Sequence, residues 1–162
     1  MKMTMKPYQF AILRYRHNAA RGEFVNIGIV MWVASKRAVH GKLNRKTGRL
    51  KKFFGTFDGD LYQEVIDNLL GRIRLLQHAL AQEQTNLFAG QPGSIQDVMD
   101  SLIREDAMVL QWSEVMVGAF PDPAVRADQL FEELVTRAGE LGETGSLVID
   151  RETAAFLRAH QA

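Results

Sequence analysis

A chain of 162 residues, 46% apolar and 24% charged, has the size and composition of one globular domain and can bury roughly 70% of its unfolded surface without a covalent staple. It contains no cysteine, which excludes disulfides and thiolate metal sites and agrees with a reducing compartment. Met1 to Pro7 lack the apolar run of a secretory signal, and no stretch approaches roughly 18 uncharged apolar residues, so the sequence reads as cytoplasmic with no membrane segment.

The net charge of +1 conceals a division. Met1 to Lys52 hold thirteen lysines and arginines against one acid, Glu23, a net +12; Phe53 to Ala162 hold seven arginines against eighteen acids, a net −11. Every lysine lies at or before Lys52. Such asymmetry points to nucleic acid or an acidic partner. It equally suits two halves that neutralise one another, because a small domain spans only a few Debye lengths of about 8 Å.

Tyr8 to Arg16 is apolar on both alternating sets, the pattern of a central strand. Asn18 to Gly22 reads as a turn, and Glu23 to Val33 as a second strand, β-branched, aromatic and again apolar on both sides. The two form a hairpin. Ala38 to Leu43 and Arg49 to Phe57 are expected as a second hairpin joined by the polar run Asn44 to Gly48. The period then changes: Leu61, Val65, Ile66, Leu69, Leu70, Ile73, Leu76 and Leu80 predict an amphipathic helix from Asp60 to about Gln84, capped by Asp58 or Asp60. Asn86 to Gly93 is a loop. Ser94 with Asp97 has the form of a capping box for a short helix. Met108 to Gly118 reads as one further strand, and Asp122-Pro123 as a cap followed by proline at the first helical position.

Strands therefore precede helices, and the expected fold is α+β: an antiparallel sheet built from N-terminal hairpins, packed by a long amphipathic helix and shorter C-terminal helices. The domain is expected over 1–138. Beyond it, 139–162 reads as a flexible break, Gly139 to Gly145, followed by a short strand and a final helix.

Two polar sets are candidates for binding. The first is Arg14, Arg16, Arg21, Glu23 and Asn26 on the first hairpin. Arg14 is in phase with Phe10 and Ile12, and Asn26 with Phe24 and Val30. A polar group facing a core costs about 1–3 kcal/mol unless paired. These residues are therefore either satisfied by the fold or form an anion pocket in which arginine supplies a bidentate fork. The second set is the block Lys36 to Lys52, which has no acid and in which Lys42, Arg45, Lys46, Arg49, Lys51 and Lys52 run up to Phe53-Phe54. It suits a phosphate backbone with stacked bases, an acidic protein, or a solvated edge kept from aggregating by its lysines. No phosphate loop, dinucleotide fingerprint, nucleophile elbow or histidine ligand spacing occurs, so no catalytic residue, cofactor or metal is expected.

With Tyr8, Phe10, Ala11 and Arg14, then Arg21-Gly22-Glu23-Phe24-Val25-Asn26-Ile27-Gly28, the chain resembles a bacterial family of unknown function. Ser113-Glu114-Val115, Gly118, Asp122-Pro123, Leu130-Phe131 and Leu134-Val135 are similar to that family's second block. The resemblance implies no catalytic residues. It does imply a protein partner, because relatives are often encoded beside HipA-type kinases. The leading expectation is a non-enzymatic binding or regulatory module with such a partner. A nucleic-acid-binding protein and an enzyme holding an anionic substrate at Arg14 and Asn26 are the alternatives.

Overall fold

The structure is a computed structural model that describes residues 4–18, 23–54, 56–81, 92–103 and 109–137. Arg21 with its turn, most of the 86–93 loop, and the break and appendage expected from 139 onward lie outside the described residues.

Strands β1 (Lys6–Asn18) and β2 (Glu23–Val33) are long and antiparallel, and β3 (Ala38–Leu43) pairs with β2 across a single 3-10 turn, Ala34–Lys36. The other flank of β1 carries β4 (Leu110–Trp112) along its second half and β5 (Met116–Phe120) along its first. The sheet thus has five strands in the order β3-β2-β1-β4, with β5 beside β1, and the two strands apolar on both sides stand at its centre. Helices explain that double apolarity. One face carries α1 (Gly48–Phe53), α2 (Gly59–Ala81) and α3 (Ile95–Leu102), which pack Leu50, Ile66, Leu69, Val98 and Leu102 onto Ala11, Leu13, Ile27, Val30 and Trp32. The opposite face carries α4 (Pro123–Phe131) and a π-helical turn (Glu132–Arg137), which pack Leu130, Leu134 and Val135 onto Phe10, Ile12, Ile29, Met31 and Val33. The α+β architecture is as expected.

Two elements differ from the expectation. Arg49 to Phe57 is not a strand; it contributes α1, and the hairpin partner of β3 is β2. A helix buries Leu50 and Phe54, four residues apart, and leaves Lys51 and Lys52 in solvent. A strand would have turned Lys52 to the same face as both apolar residues. The single strand expected over Met108 to Gly118 is likewise two, β4 and β5, with Met108 outside the described residues. Ser113 breaks it: its hydroxyl accepts the Ile12 N–H at 2.8 Å, and its own N–H donates to the Ile12 carbonyl. A side-chain oxygen there takes the place of a ladder carbonyl.

The caps follow the sequence closely. Asp58 Oδ1 accepts from Leu61 N–H, Ser94 Oγ from Asp97 N–H, and Asp122 Oδ1 from Ala124 N–H, so each satisfies an orphan donor of a first turn. Asp97 reaches one residue further back than a capping box requires, accepting from Gly93 N–H at 2.9 Å.

A buried donor of β4 stays unmet. Trp112 Nε1 is shut off from solvent and has no hydrogen-bond partner among the described residues. Leaving such a donor unmade costs about 1–3 kcal/mol. Trp112→Phe removes the donor while keeping most of the ring's packing, so it is expected to change stability by less than about 1 kcal/mol. Urea unfolding checks this; a loss typical of a large-to-small core substitution would contradict it.

Candidate functional site

A one-residue bulge decides where Asn26 points. Leu13 pairs with Gly28 and Arg14 with Asn26, so Ile27 is the extra residue in β2. Ile27 and Val30 both end in the cluster under α2, while Asn26 crosses to the α4 side. The phase shared by Asn26 and Val30 in the sequence is therefore broken, as bulges break it when they re-aim a side chain. The freed Ile27 carbonyl accepts from Asn44 N–H.

On the α4 side Asn26 is 2% exposed. Its Nδ2 donates to the Leu134 carbonyl at 3.0 Å, and its Oδ1 accepts from Arg14 Nε at 3.4 Å. The Arg14 guanidinium also lies 4.6 Å from the centre of the Phe24 ring. Leu134 sits in the π-helical turn, where the i→i+5 pattern leaves carbonyls differently aimed from those of an α-helix. Asn26 holds one of them, and Arg49 holds another, donating from Nη1 to the Thr136 carbonyl at 2.8 Å. Members of both candidate sets thus clamp the same turn. Arg16, partly exposed, follows Arg14 two positions along β1, and Glu23 opens β2, so four of the five residues of the first set share one end of the hairpin.

The basic block divides in two. Lys42 Nζ lies 3.1 Å from Asp128 of α4 and 5.4 Å from the Phe131 ring centre, and Arg45 lies 2.8 Å from Asp67 of α2. With Arg49 of α1 on Thr136, these three cations tie β3, the loop after it and α1 to α4, α2 and the π-helical turn. Lys46, Lys51 and Lys52 are exposed on α1 and the loop before it, and among the described residues none meets a carboxylate. Phe54 is buried, in an aromatic cluster with Tyr15, Phe57 and Tyr62, so it offers no stacking surface. Burial raises the Tyr62 phenol far above its ordinary range, and its hydroxyl donates to the Asn44 carbonyl at 2.6 Å.

The sequence reading missed Arg126. It is 6% exposed on α4. Its Nε donates to Tyr8 Oη at 3.3 Å, its Nη1 to Gln129 Oε1 at 3.1 Å, and Glu133 lies 4.0 Å away. The signal was present in its spacing: Arg126, Leu130 and Leu134 form one i, i+4, i+8 stripe. Along the outer side of the same helix runs a groove of about 310 Å³, lined by Asp128, Gln129, Glu132, Glu133 and Arg137. It does not include Arg14 or Asn26. Among the described residues no three His, Asp or Glu are placed to share a metal ion, and no helix is long and apolar enough to cross a membrane.

A profile of the family described as a protein of unknown function, DUF3037, matches residues 10–135. The chain belongs to that family. The match runs from Phe10 in β1 to Val135 in the π-helical turn, so it takes in both layers of helices and both candidate sets. No curated protein and no solved structure matches the chain.

One titratable group beside Lys42 gives the stability a pH dependence. His40, on the α4 side of β3, has its pKa lowered from 6.5, first by burial and also by Lys36, with Asp122 and Asp128 opposing. The folded chain therefore binds that proton less tightly than the unfolded chain. The stability at stake is complete above 6.5 and is lost as pH falls through 6.5 toward the folded value. Urea unfolding at about pH 8 and about pH 5.5 is expected to show a smaller acid-induced loss in His40→Gln than in the parent.

Proposed function

We propose that the chain is a non-enzymatic binding module, and that it meets an acidic surface of a partner protein with Lys46, Lys51 and Lys52. The division within the basic block carries this reading. Lys42, Arg45 and Arg49 are engaged by the chain's own helices, whereas three ammonium groups on one short helix and its approach remain in solvent. Complementary charge of this kind steers association and selects partners more than it adds affinity. A protein is favoured over nucleic acid because three cations make a short track, and because Phe54, one of the two aromatics expected to stack bases, is buried. The enzymatic alternative loses ground because the Asn26 amide is occupied by the Leu134 carbonyl. The encoding of similar chains beside HipA-type kinases, implied by the family resemblance, makes such a kinase the first partner to try.

Co-expression of the chain with the HipA-type kinase of the same host, followed by co-purification over a salt series, tests the reading. The expected result is a complex that weakens with salt and is abolished by changing Lys46, Lys51 and Lys52 to Glu. No complex at low salt overturns the kinase. Salt-sensitive binding of labelled DNA or RNA, lost in the same variant, would move the assignment to nucleic acid.

A further inference from the structure

The two edges of the sheet are treated differently. On the β3 edge, Gln77 of α2 donates to the Val39 carbonyl at 2.9 Å, and Lys42 stands in the strand. Among the described residues, strand β5 at the other edge has no such protection. Its sequence, Met116-Val117-Gly118-Ala119-Phe120, contains no charge and no proline, the residues that keep edge strands from pairing with other chains.

The backbone direction of β5 follows from β1. The Ile12 amide and carbonyl both bond to Ser113, and Arg16 N–H donates to the Val109 carbonyl. Even-numbered residues of β1 therefore turn their backbone groups toward β4 and β5. Lys6, Tyr8 and Phe10 form the hydrogen-bonded pairs with Phe120, Gly118 and Met116. Val117 and Ala119, between those pairs, aim their N–H and C=O groups outward, where no strand among the described residues lies beside β5. Their side chains are exposed as well: Val117 is 66% accessible, and Val115 is 37% accessible on the approach to the strand.

We propose that two copies of the chain pair through β5, antiparallel, about a two-fold axis passing between their Val117 residues. Strand addition satisfies the outward backbone groups, and a two-fold axis makes one patch its own complement. The register follows from the sequence. Centred on Val117, the pairing lays Val117 against Val117 and Ala119 against Val115 of the second copy, covering the exposed apolar side chains. Centred on Gly118, it would set Glu114 opposite Asp122, and like charges directly opposed are unfavourable. This surface is separate from Lys46, Lys51 and Lys52, so its test does not depend on the partner proposed above.

Sedimentation velocity over a concentration series tests the pairing, with Val117→Lys as the variant. The side chain is exposed, so the lysine is expected to leave the unfolding curve unchanged and to weaken self-association by more than about tenfold. The absence of cysteine allows a second test. Val117→Cys is expected to form a disulfide-linked dimer on mild oxidation, because the two substituted positions face one another, while Ala119→Cys is expected to remain uncrosslinked. A parent chain that stays monomeric at every concentration overturns the proposal. So does a dimer indifferent to Val117→Lys, or crosslinking that is no better at 117 than at 119.

Discussion

Gly28→Ala is expected to be among the most damaging single-methyl additions in the chain. A Cβ at Gly28 would collide with Leu43 Cδ2 and lie 2.7 Å from the Lys42 carbonyl oxygen and 3.3 Å from Leu43 Cα. Two of those atoms are backbone of β3, so rotating a side chain cannot relieve the contact, and the β2–β3 ladder must open. Overpacking of this kind costs about 3 kcal/mol. Gly71→Ala is the matched control. It lies within α2, nothing is within 4 Å of its added Cβ, and it should gain about 0.5–1 kcal/mol from the lower entropy of the unfolded chain. Urea midpoints of the two variants should move in opposite directions; a neutral Gly28→Ala would mean that β3 does not approach β2 as described.

Asn26→Ala is the second large effect. It removes the donor from the Leu134 carbonyl and the acceptor from Arg14 Nε at a position 2% exposed. A loss of about 2 kcal/mol is expected from the unmet carbonyl. Asn26→Asp should cost more, since it turns a carboxylate oxygen toward a carbonyl oxygen in a buried place. Amide exchange over Glu132–Arg137 should quicken in both variants, because the clamp on the π-helical turn is what they lose. If either variant keeps the parent's urea midpoint and exchange pattern, the amide does not hold the helix, and Arg14 with Asn26 returns as a ligand site.

What could be read beforehand has a physical boundary. The centre of the sheet was legible because β1 and β2 are apolar on both alternating sets, and only strands covered on both faces can be so. The caps at Asp58, Ser94 and Asp122 were legible because capping is a local matter of a side chain and the next three residues. Helix α1 was not, since Leu50 and Phe54 share a face in a strand as they do on a helical turn, and a single lysine between them is a weak local signal against the strand; tertiary packing chose between them. The bulge at Ile27 was hidden because an apolar extra residue leaves no mark in an apolar run. The misplaced residue was Asn26, and its polarity was the trace. The division of the basic block depends on which acids the fold brings close. Asp128 and Asp67 lie 86 and 22 residues from the cations they meet, and nothing local announces that.

The bulge also bears on chain length. Losing one residue from a regular strand inverts the side chains on one side of the gap. In β2 the loss of Ile27 would not, because Asn26 would still oppose Arg14, Gly28 would still oppose Leu13, and the alternation between them would become regular. Such a deletion sacrifices a buried isoleucine and the carbonyl that Asn44 uses, yet every other side chain keeps its face. When the sequences of this family are set side by side, a one-residue gap between the asparagine and the glycine is therefore the gap that this strand can absorb. A gap two positions later would move Met31 and Trp32 to the wrong sides of the sheet.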